Sequence, residues 1–261
     1  MALWIRFDHG GRTRFGTLEG GTILVHDGDL FSGPRPTGEA LPLADVTVRR
    51  PVEPSKLVGL VSNYRAAVEK QGGPFPAEPL WFLKAPSAYL DPGRPVRLPA
   101  RDVGKVIYEG ELGIVIGREA RDVDEADWER YVFGYTCVND VTALDLIARD
   151  PSYAQWCRAK SQDTFGPFGP VIATGLDPAG LTVRTLLNGK VRQEYPCRDM
   201  IFPPAALVSR LSRELTLLPG DVVACGTSLG IGVLRPGATV EVVIDGIGTL
   251  SNPVAGAEAP A

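Results

Sequence analysis

Two glutamates stand one residue apart in an apolar run: Glu109 and Glu111 in IYEGELGIVIG, from Ile107 to Gly117. Successive side chains of a strand alternate faces, so this spacing predicts both carboxylates on one face, together with Lys105, Ile107, Gly113 and Val115. Like charges side by side on a sheet repel, and burying either alone is costly. Two arrangements make the pair tolerable. Either both glutamates lie on a solvated face, paired with arginines, or both ligate a hard divalent cation whose charge cancels their repulsion. Oxygen-only ligands favour Mg²⁺ or Mn²⁺ over zinc, with Ca²⁺ as an alternative in vitro. Asp140, in the VNDV of an otherwise apolar β run, offers a third ligand; elsewhere an acidic residue in such a place caps a helix or turns the chain.

Two more segments can act beside such a cation. Lys160 in RAKSQD either marks a solvated face, as most lysines do, or brings an ammonium group to a substrate carboxylate or enolate oxygen. The glycine-rich GTSLGIG, residues 226–232, lacks the terminal Gly-Lys-Ser/Thr of a phosphate loop and the following helix of a dinucleotide fingerprint. Its backbone amides and Thr227 can receive an anion, or it is a plain β-turn. The only histidines are His9 and His26, near the start of the chain. A Ser-His-Asp or Cys-His mechanism therefore needs one of them to reach the main body, and a histidine-rich metal site is excluded by count.

Composition narrows the classes. Of 261 residues 44% are hydrophobic and 22% charged, an ordinary globular balance. A net charge of −4 leaves no basic excess to neutralise phosphates, so nucleic acid is not expected as a partner. Cys137, Cys157, Cys197 and Cys225 form no C-x-x-C pair, which removes support for a zinc knuckle or redox motif. MALWIRFDHGG has no extended apolar core, and no apolar run approaches membrane-spanning length. A cytoplasmic protein with reduced cysteines is expected.

The elements that must position these residues are mostly strands. Residues 1–52 read as a small N-terminal β domain, a meander punctuated by EGG and DGD turns. KLVGLV is a short buried strand leading into a helix over NYRAAVEKQ, ended by Gly72, Gly73 and Pro74. Prolines recur from Phe75 to about Arg101, so that segment is extended and loop-like, although its aromatics and Lys84 suggest packing. DVDEADWERYVF is predicted helical, with Gly134 near its end, and YTCVNDVTALDL passes from strand to helix. LTVRTLLNGKVRQEY is a hairpin around Asn188-Gly189. AALVSRLSRELTLL is an amphipathic helix. Strands between PGD, RPG and DG turns close a main domain over 53–254, and 255–261 are expected to be a flexible tail. The fold class is α+β, predominantly β.

Together KLVGLVSNYRAAVE, FLKAPSA, YEGELGIVIG, GYTCVNDVTALD, RAKSQDTFGPFGP, LNGKVRQE, MIF, LLPGDVVACGT and VIDGIGTL resemble, in order, the fumarylacetoacetate hydrolase family. The likeness is to members of the 2-hydroxyhepta-2,4-diene-1,7-dioate isomerase and acylpyruvate hydrolase type. It implies a β-roll of mixed sheets, a homodimer, and Glu109, Glu111 and Asp140 as ligands of Mg²⁺ or Mn²⁺. It also implies Lys160 at the oxo-acid end of the substrate, Thr227 at its carboxylate, and Gln193 and Tyr64 in the pocket. Expected substrates are 2-oxo or 2-hydroxy-dienoic acids of aromatic or amino-acid breakdown, transformed through a metal-stabilised enolate by C–C hydrolysis, keto–enol isomerisation or decarboxylation.

The chain departs from the family pattern in one segment. Where many members carry His and Glu in N-Y-x-x-H-x-x-E, this sequence has Ala67 and Lys70, with Glu69 one place off as a substitute base. Hydrolysis needs a positioned base for water, so the change tilts the expectation towards isomerisation or decarboxylation. It also motivates an alternative, a relative that binds metal and oxo acid without turnover. The family's T-A-R-D arginine is Leu144 here, so the far end of the substrate is read differently.

Overall fold

The structure, a computed structural model, describes residues 1–257. The chain opens with the expected meander, β1 (Leu3–His9), β2 (Arg12–Glu19), β3 (Thr22–Asp27), β4 (Arg35–Pro42) and β5 (Thr47–Arg49). A buried strand, β6 (Leu57–Val61), follows. Ser62, held in the left-handed region at φ 56°, turns the chain into α1 (Arg65–Gln71). Gly72 ends that helix at φ 71°, its N–H donating to the carbonyls of Val68 and Glu69. The proline-rich stretch is not all loop: it contributes β7 (Leu80–Lys84), β8 (Tyr89–Leu90) and β9 (Val96–Arg97).

The glutamate segment is two strands, β10 (Val106–Tyr108) and β11 (Gly110–Ile116), rather than one. Then come β12 (Val132–Asn139), β13 (Thr142–Ala143), α2 (Leu144–Ile147), α3 (Trp156–Lys160) and β14 (Gly166–Ala173). The predicted helix before β12 shrinks to a 3-10 turn at Glu125–Arg130, because pairing with β11 draws Val132 onward into the sheet. β15 (Thr182–Leu187) and β16 (Lys190–Pro196) form the hairpin, whose Asn188 and Gly189 have φ of 53° and 72°. Both values suit a type I′ turn. α4 (Pro204–Glu214), β17 (Val222–Ala224), β18 (Gly232–Val233), β19 (Thr239–Ile244) and β20 (Gly248–Ala255) complete the chain.

Among the described residues these strands make three sheets. The largest runs β4-β3-β2-β1-β14-β12-β11-β17-β6-β7; a second is β13-β10-β18, and a third β16-β15-β19-β20-β9. Most pairs are antiparallel, but β17 pairs β6, β14 pairs β8 and β20 pairs β9 in parallel. The result is the predominantly β α+β roll. The meander is stitched into its body, since Leu3, Trp4 and Ile5 pair with Ala173, Ile172 and Val171. Ile5, Phe7, Ile23 and Val25 share one core with Leu112, Ile114 and Val223.

The last strand runs one residue into the expected tail: Ala255 pairs with Arg97, and the Leu98 N–H donates to the Ala255 carbonyl at 3.0 Å. Residues 258–261 of the expected tail lie outside the described residues. Among the described residues no helix is long and apolar enough to cross a membrane.

Candidate active site

Glu109 occupies the joint between β10 and β11, where the chain leaves the small sheet for the large one. This corrects the reading of a single strand with one polar face: every residue from Val106 to Ile116 except Glu109 is buried, so neither face is solvated. Cross-strand register does the positioning. Gly110 lies opposite Asn139 and Glu111 opposite Val138, which brings Asp140, just past the end of β12, beside both glutamates. The Asp140 N–H donates to the Glu109 carbonyl at 2.8 Å, and the Glu109 N–H donates to Asn139 Oδ1 at 3.1 Å. One carboxylate oxygen from each of Glu109, Glu111 and Asp140 lies within 4.8 Å of the others.

The glycine between the glutamates is pinned by its neighbours. A Cβ on Gly110 would stand 2.0 Å from Thr185 Oγ1, so only glycine fits. The Gly110 N–H donates to Gln193 Oε1 at 3.0 Å, and its carbonyl accepts from Thr227 Oγ1 at 3.0 Å and from the Tyr195 hydroxyl. Gln193 Nε2 in turn donates to Thr227 Oγ1 at 2.9 Å and to the Ser228 carbonyl at 3.2 Å. The E-G-E segment is thus held from the hairpin and from the glycine-rich loop.

Two ammonium groups meet the three carboxylates. Lys160, the last residue of α3, donates to Glu109 Oε2 at 2.7 Å and to Asp140 Oδ2, and lies 4.8 Å from the centre of the Phe82 ring. Lys84, the last residue of β7, donates to Asp140 Oδ1 at 2.5 Å and to the Val141 carbonyl at 3.2 Å. Lys84 is 1% exposed, so its partner is fixed by burial as well as by charge. With all five groups ionised, as a bound cation would require, three carboxylates against two ammonium groups leave one negative charge in excess.

The electrostatics are uneven. Burial pushes the Glu111 carboxyl well above the usual carboxylate range, and the charges of Asp140 and Glu109 add to this against Lys160. Burial also raises Glu109, with Lys160 opposing it. At Asp140 burial acts in the same sense, but Lys160 and Lys84 outweigh it and hold the group below its ordinary value. Burial lowers Lys84 against the pull of Asp140, whereas Lys160 is raised because Asp140 and Glu109 outweigh its own desolvation.

Glu111 is the decisive group for the donor set. Its Oε2 accepts the Gly226 N–H at 2.7 Å, but its Oε1 is buried with no hydrogen-bond partner. An orphaned carboxylate oxygen costs several kcal/mol unless a cation meets it. Hard oxygen donors at this spacing are comparable with the span of about 4–5 Å across two metal–oxygen bonds. The residues fit a divalent cation.

A cavity of about 670 Å³ opens onto this cluster. Glu109, Lys160 and Thr227 reach its wall, while Glu111 and Asp140 lie behind it. Ser62, Ala67, Lys70 and Gln71 line it from the β6–α1 side, and Leu144, Ile147, Trp156 and Ile231 make much of the apolar remainder. Three expected residues are not on this wall. Tyr64 is fully buried, packed edge-to-face on Tyr195 with ring centres 4.7 Å apart. Gln193, 1% exposed, spends its side-chain amide on Gly110, Thr227 and Ser228, so it is a support rather than a lining group. Glu69 is exposed outside the cavity, since α1 turns Ala67, Lys70 and Gln71 inward instead. Neither histidine is present: His26 packs on Trp4 in the meander, and His9 ends β1.

Residues 56–255 match the family model described as fumarylacetoacetate (FAA) hydrolase C-terminal. The chain belongs to the fumarylacetoacetate hydrolase family. Residues 3–49 match a second model, Rv2993c-like, N-terminal. Within the family the chain is 45% identical to Protein Rv2993c of Mycobacterium tuberculosis over 227 residues, 86% of this chain and 84% of the relative. A solved 2-hydroxyhepta-2,4-diene-1,7-dioate isomerase from Mycobacterium marinum has a TM-score of 0.90 at 40% identity, covering 98% of this chain and 99% of that one. A maleylpyruvate hydrolase from Sphingobium sp. SYK-6, solved in complex with manganese(II) and pyruvate, has a TM-score of 0.78 at 30% identity, covering 99% and 100%. These family members share the architecture described above, and the chain is an enzyme of the same hydrolase and isomerase family.

The sequence does not place two residues in the site. Lys84 stands out there only as a lysine whose segment suggests packing, and Tyr195 as one aromatic of a hairpin strand. Neither has a local signal that names its partner, which lies 56 residues away for Lys84 and 85 for Tyr195.

Proposed function

We propose that this protein is a divalent-metal-dependent keto–enol isomerase of small 2-oxo or 2-hydroxy-dienoic acids. One observation carries the choice of reaction. The helix face that borders the cavity presents Ala67 and Lys70, and no histidine lies on the cavity wall. Hydrolysis requires a base aimed at water, and that face supplies none of the usual kind. A keto–enol shift activates no water nucleophile: the proton on carbon passes to a base on the wall or to solvent, and a proton is delivered to the oxygen, while negative charge on that oxygen is stabilised. Lys160 brings a positive charge to the wall where that oxygen would develop. Glu109, Glu111 and Asp140 would hold Mg²⁺ or Mn²⁺, which supplies Lewis-acid stabilisation of the enolate when bound. Glu109 also lies on the wall, within reach of both the cation position and Lys160.

Thr227, on the wall and anchored to Gly110, is assigned to the substrate carboxylate. All four cysteines are free, three of them buried, which agrees with a reducing cytoplasmic setting. A homodimer is the proposed assembly. Val191, Leu229, Ile231 and Val233 are 40–52% exposed, and Gly230 packs against the Arg192 carbonyl, which joins the hairpin to the glycine-rich loop in one apolar patch.

Absorbance assays with oxaloacetate, hydroxymuconate-type isomers and acylpyruvates test the reaction. Mn²⁺-dependent enol–keto interconversion is expected to exceed hydrolysis and decarboxylation, and EDTA to abolish it. Activity that survived complete metal removal, or acylpyruvate cleavage faster than isomerisation, would overturn the assignment.

A further inference from the structure

The cavity wall carries one cation that the proposed reaction does not use. Lys70 lies on the cavity wall with no hydrogen bond or ion pair among the described residues. Ser62 and Gln71 line the same cavity, as do the apolar side chains of Leu144, Ile147 and Trp156. The other lining cation, Lys160, is already committed to Glu109 and Asp140. Ser62 adopts φ 56°, a conformation unfavourable for a side-chain-bearing residue, at the bend that leads the chain into α1, from which Lys70 reaches the cavity.

We propose that Lys70 is a specificity residue that recognises a carboxylate at the far end of the substrate, so that the enzyme prefers a 2-oxo diacid to a mono-acid. The inference rests on the oxo-acid reading above and deepens it. The chemistry is complementary. A lysine ammonium is a compact charge with three rotatable donors on a flexible stem, suited to a carboxylate at the end of a mobile chain. Gln71, next to Lys70 at the end of α1 and also on the wall, can add a neutral hydrogen bond to the same group. The apolar lining residues suit the hydrocarbon or diene middle of such an acid.

Non-reacting stand-ins separate this role from chemistry. Calorimetry on the Mn²⁺-loaded full chain would compare malate, 2-hydroxyglutarate and 2-hydroxyadipate, each against its ω-monoamide, in wild type, Lys70→Met and Lys70→Arg. At least one diacid is expected to bind wild type roughly 10- to 100-fold tighter than its amide, the range for a charge-assisted hydrogen bond. Lys70→Met should erase that gap, and Lys70→Arg should restore most of it. A wild type indifferent to the distal charge, or a gap that persists in Lys70→Met, overturns the proposal. Oxalate, which has no distal group, is the control for the parent reading. Equal oxalate binding by wild type and Lys70→Met leaves the metal site intact whatever the diacids do, whereas no oxalate binding to wild type would sink the oxo-acid reading and the Lys70 role with it.

Discussion

At the scale of single residues, Glu111 concentrates the conflict in the site. Its carboxyl is fully buried, faces Asp140 and Glu109, and keeps one oxygen without a partner. A carboxyl held above its ordinary value stays protonated in the folded metal-free chain at pH values where the unfolded chain has already ionised it. The metal-free fold therefore loses stability as pH rises above the ordinary carboxylate range, through the raised value. A cation binds only the ionised form, so binding releases a proton and tightens with pH. The melting-temperature gain from Mn²⁺ should accordingly be larger at pH 8 than at pH 6, as read by differential scanning fluorimetry. Glu111→Gln, neutral in the folded and the unfolded chain alike, should remove that protonation cost and raise the metal-free melting temperature near neutral pH by ~2–4 °C, the equivalent of about 1 kcal/mol in a chain of this size. The same substitution should weaken Mn²⁺ binding by more than the roughly 10- to 100-fold typical of losing an outer-shell partner. A glutamine variant that bound Mn²⁺ as wild type does would remove Glu111 from the ligand set.

At the scale of elements, the site is a meeting of strand ends. β10 hands the chain to β11 at Glu109, β12 ends beside Asp140, β7 ends at Lys84 and α3 ends at Lys160. Gly110 is where β11, the hairpin and the glycine-rich loop lock together. Gly110→Ala should be destabilising by ~1–3 kcal/mol, as overpacking usually is, because Thr185 Oγ1 occupies the space its methyl group needs. Thr185→Ala in the same chain should recover part of that loss in urea unfolding. Full stability of Gly110→Ala alone would mean the junction is looser than its contacts imply. This scale also separates what was readable in the sequence from what was not. The E-x-E spacing, the Asn188-Gly189 hairpin and the α4 periodicity are local patterns, and each appears in the fold. The break at Glu109, the burial of Lys84 and the anchoring work of Gln193 depend on partners 30 to 83 residues away, for which a local pattern carries no sign. The expected loop from Phe75 to Arg101 failed for the same reason: its short strands exist because β6, β14 and β20 offer edges to pair with.

At the scale of the whole molecule, the apolar patch of Val191, Leu229, Ile231 and Val233 borders the cavity mouth, since Leu229 and Ile231 also line the cavity. If a second copy covers it, assembly and substrate access are linked. Ile231→Asp would place a charge in that contact, and light scattering after size exclusion should then report a shift from dimer towards monomer. An unchanged mass would move the dimer contact elsewhere on the surface.

The antiparallel joint between β1 and β14 has a consequence for any shortened form of the chain. Deleting the leading meander would not uncouple an accessory module. It would strip the partner from the backbone of Val171, Ile172 and Ala173, and uncover apolar side chains that Ile5 and Phe7 now shield. Such a raw β rim recruits other chains, so the truncated protein should aggregate before it reports anything about catalysis.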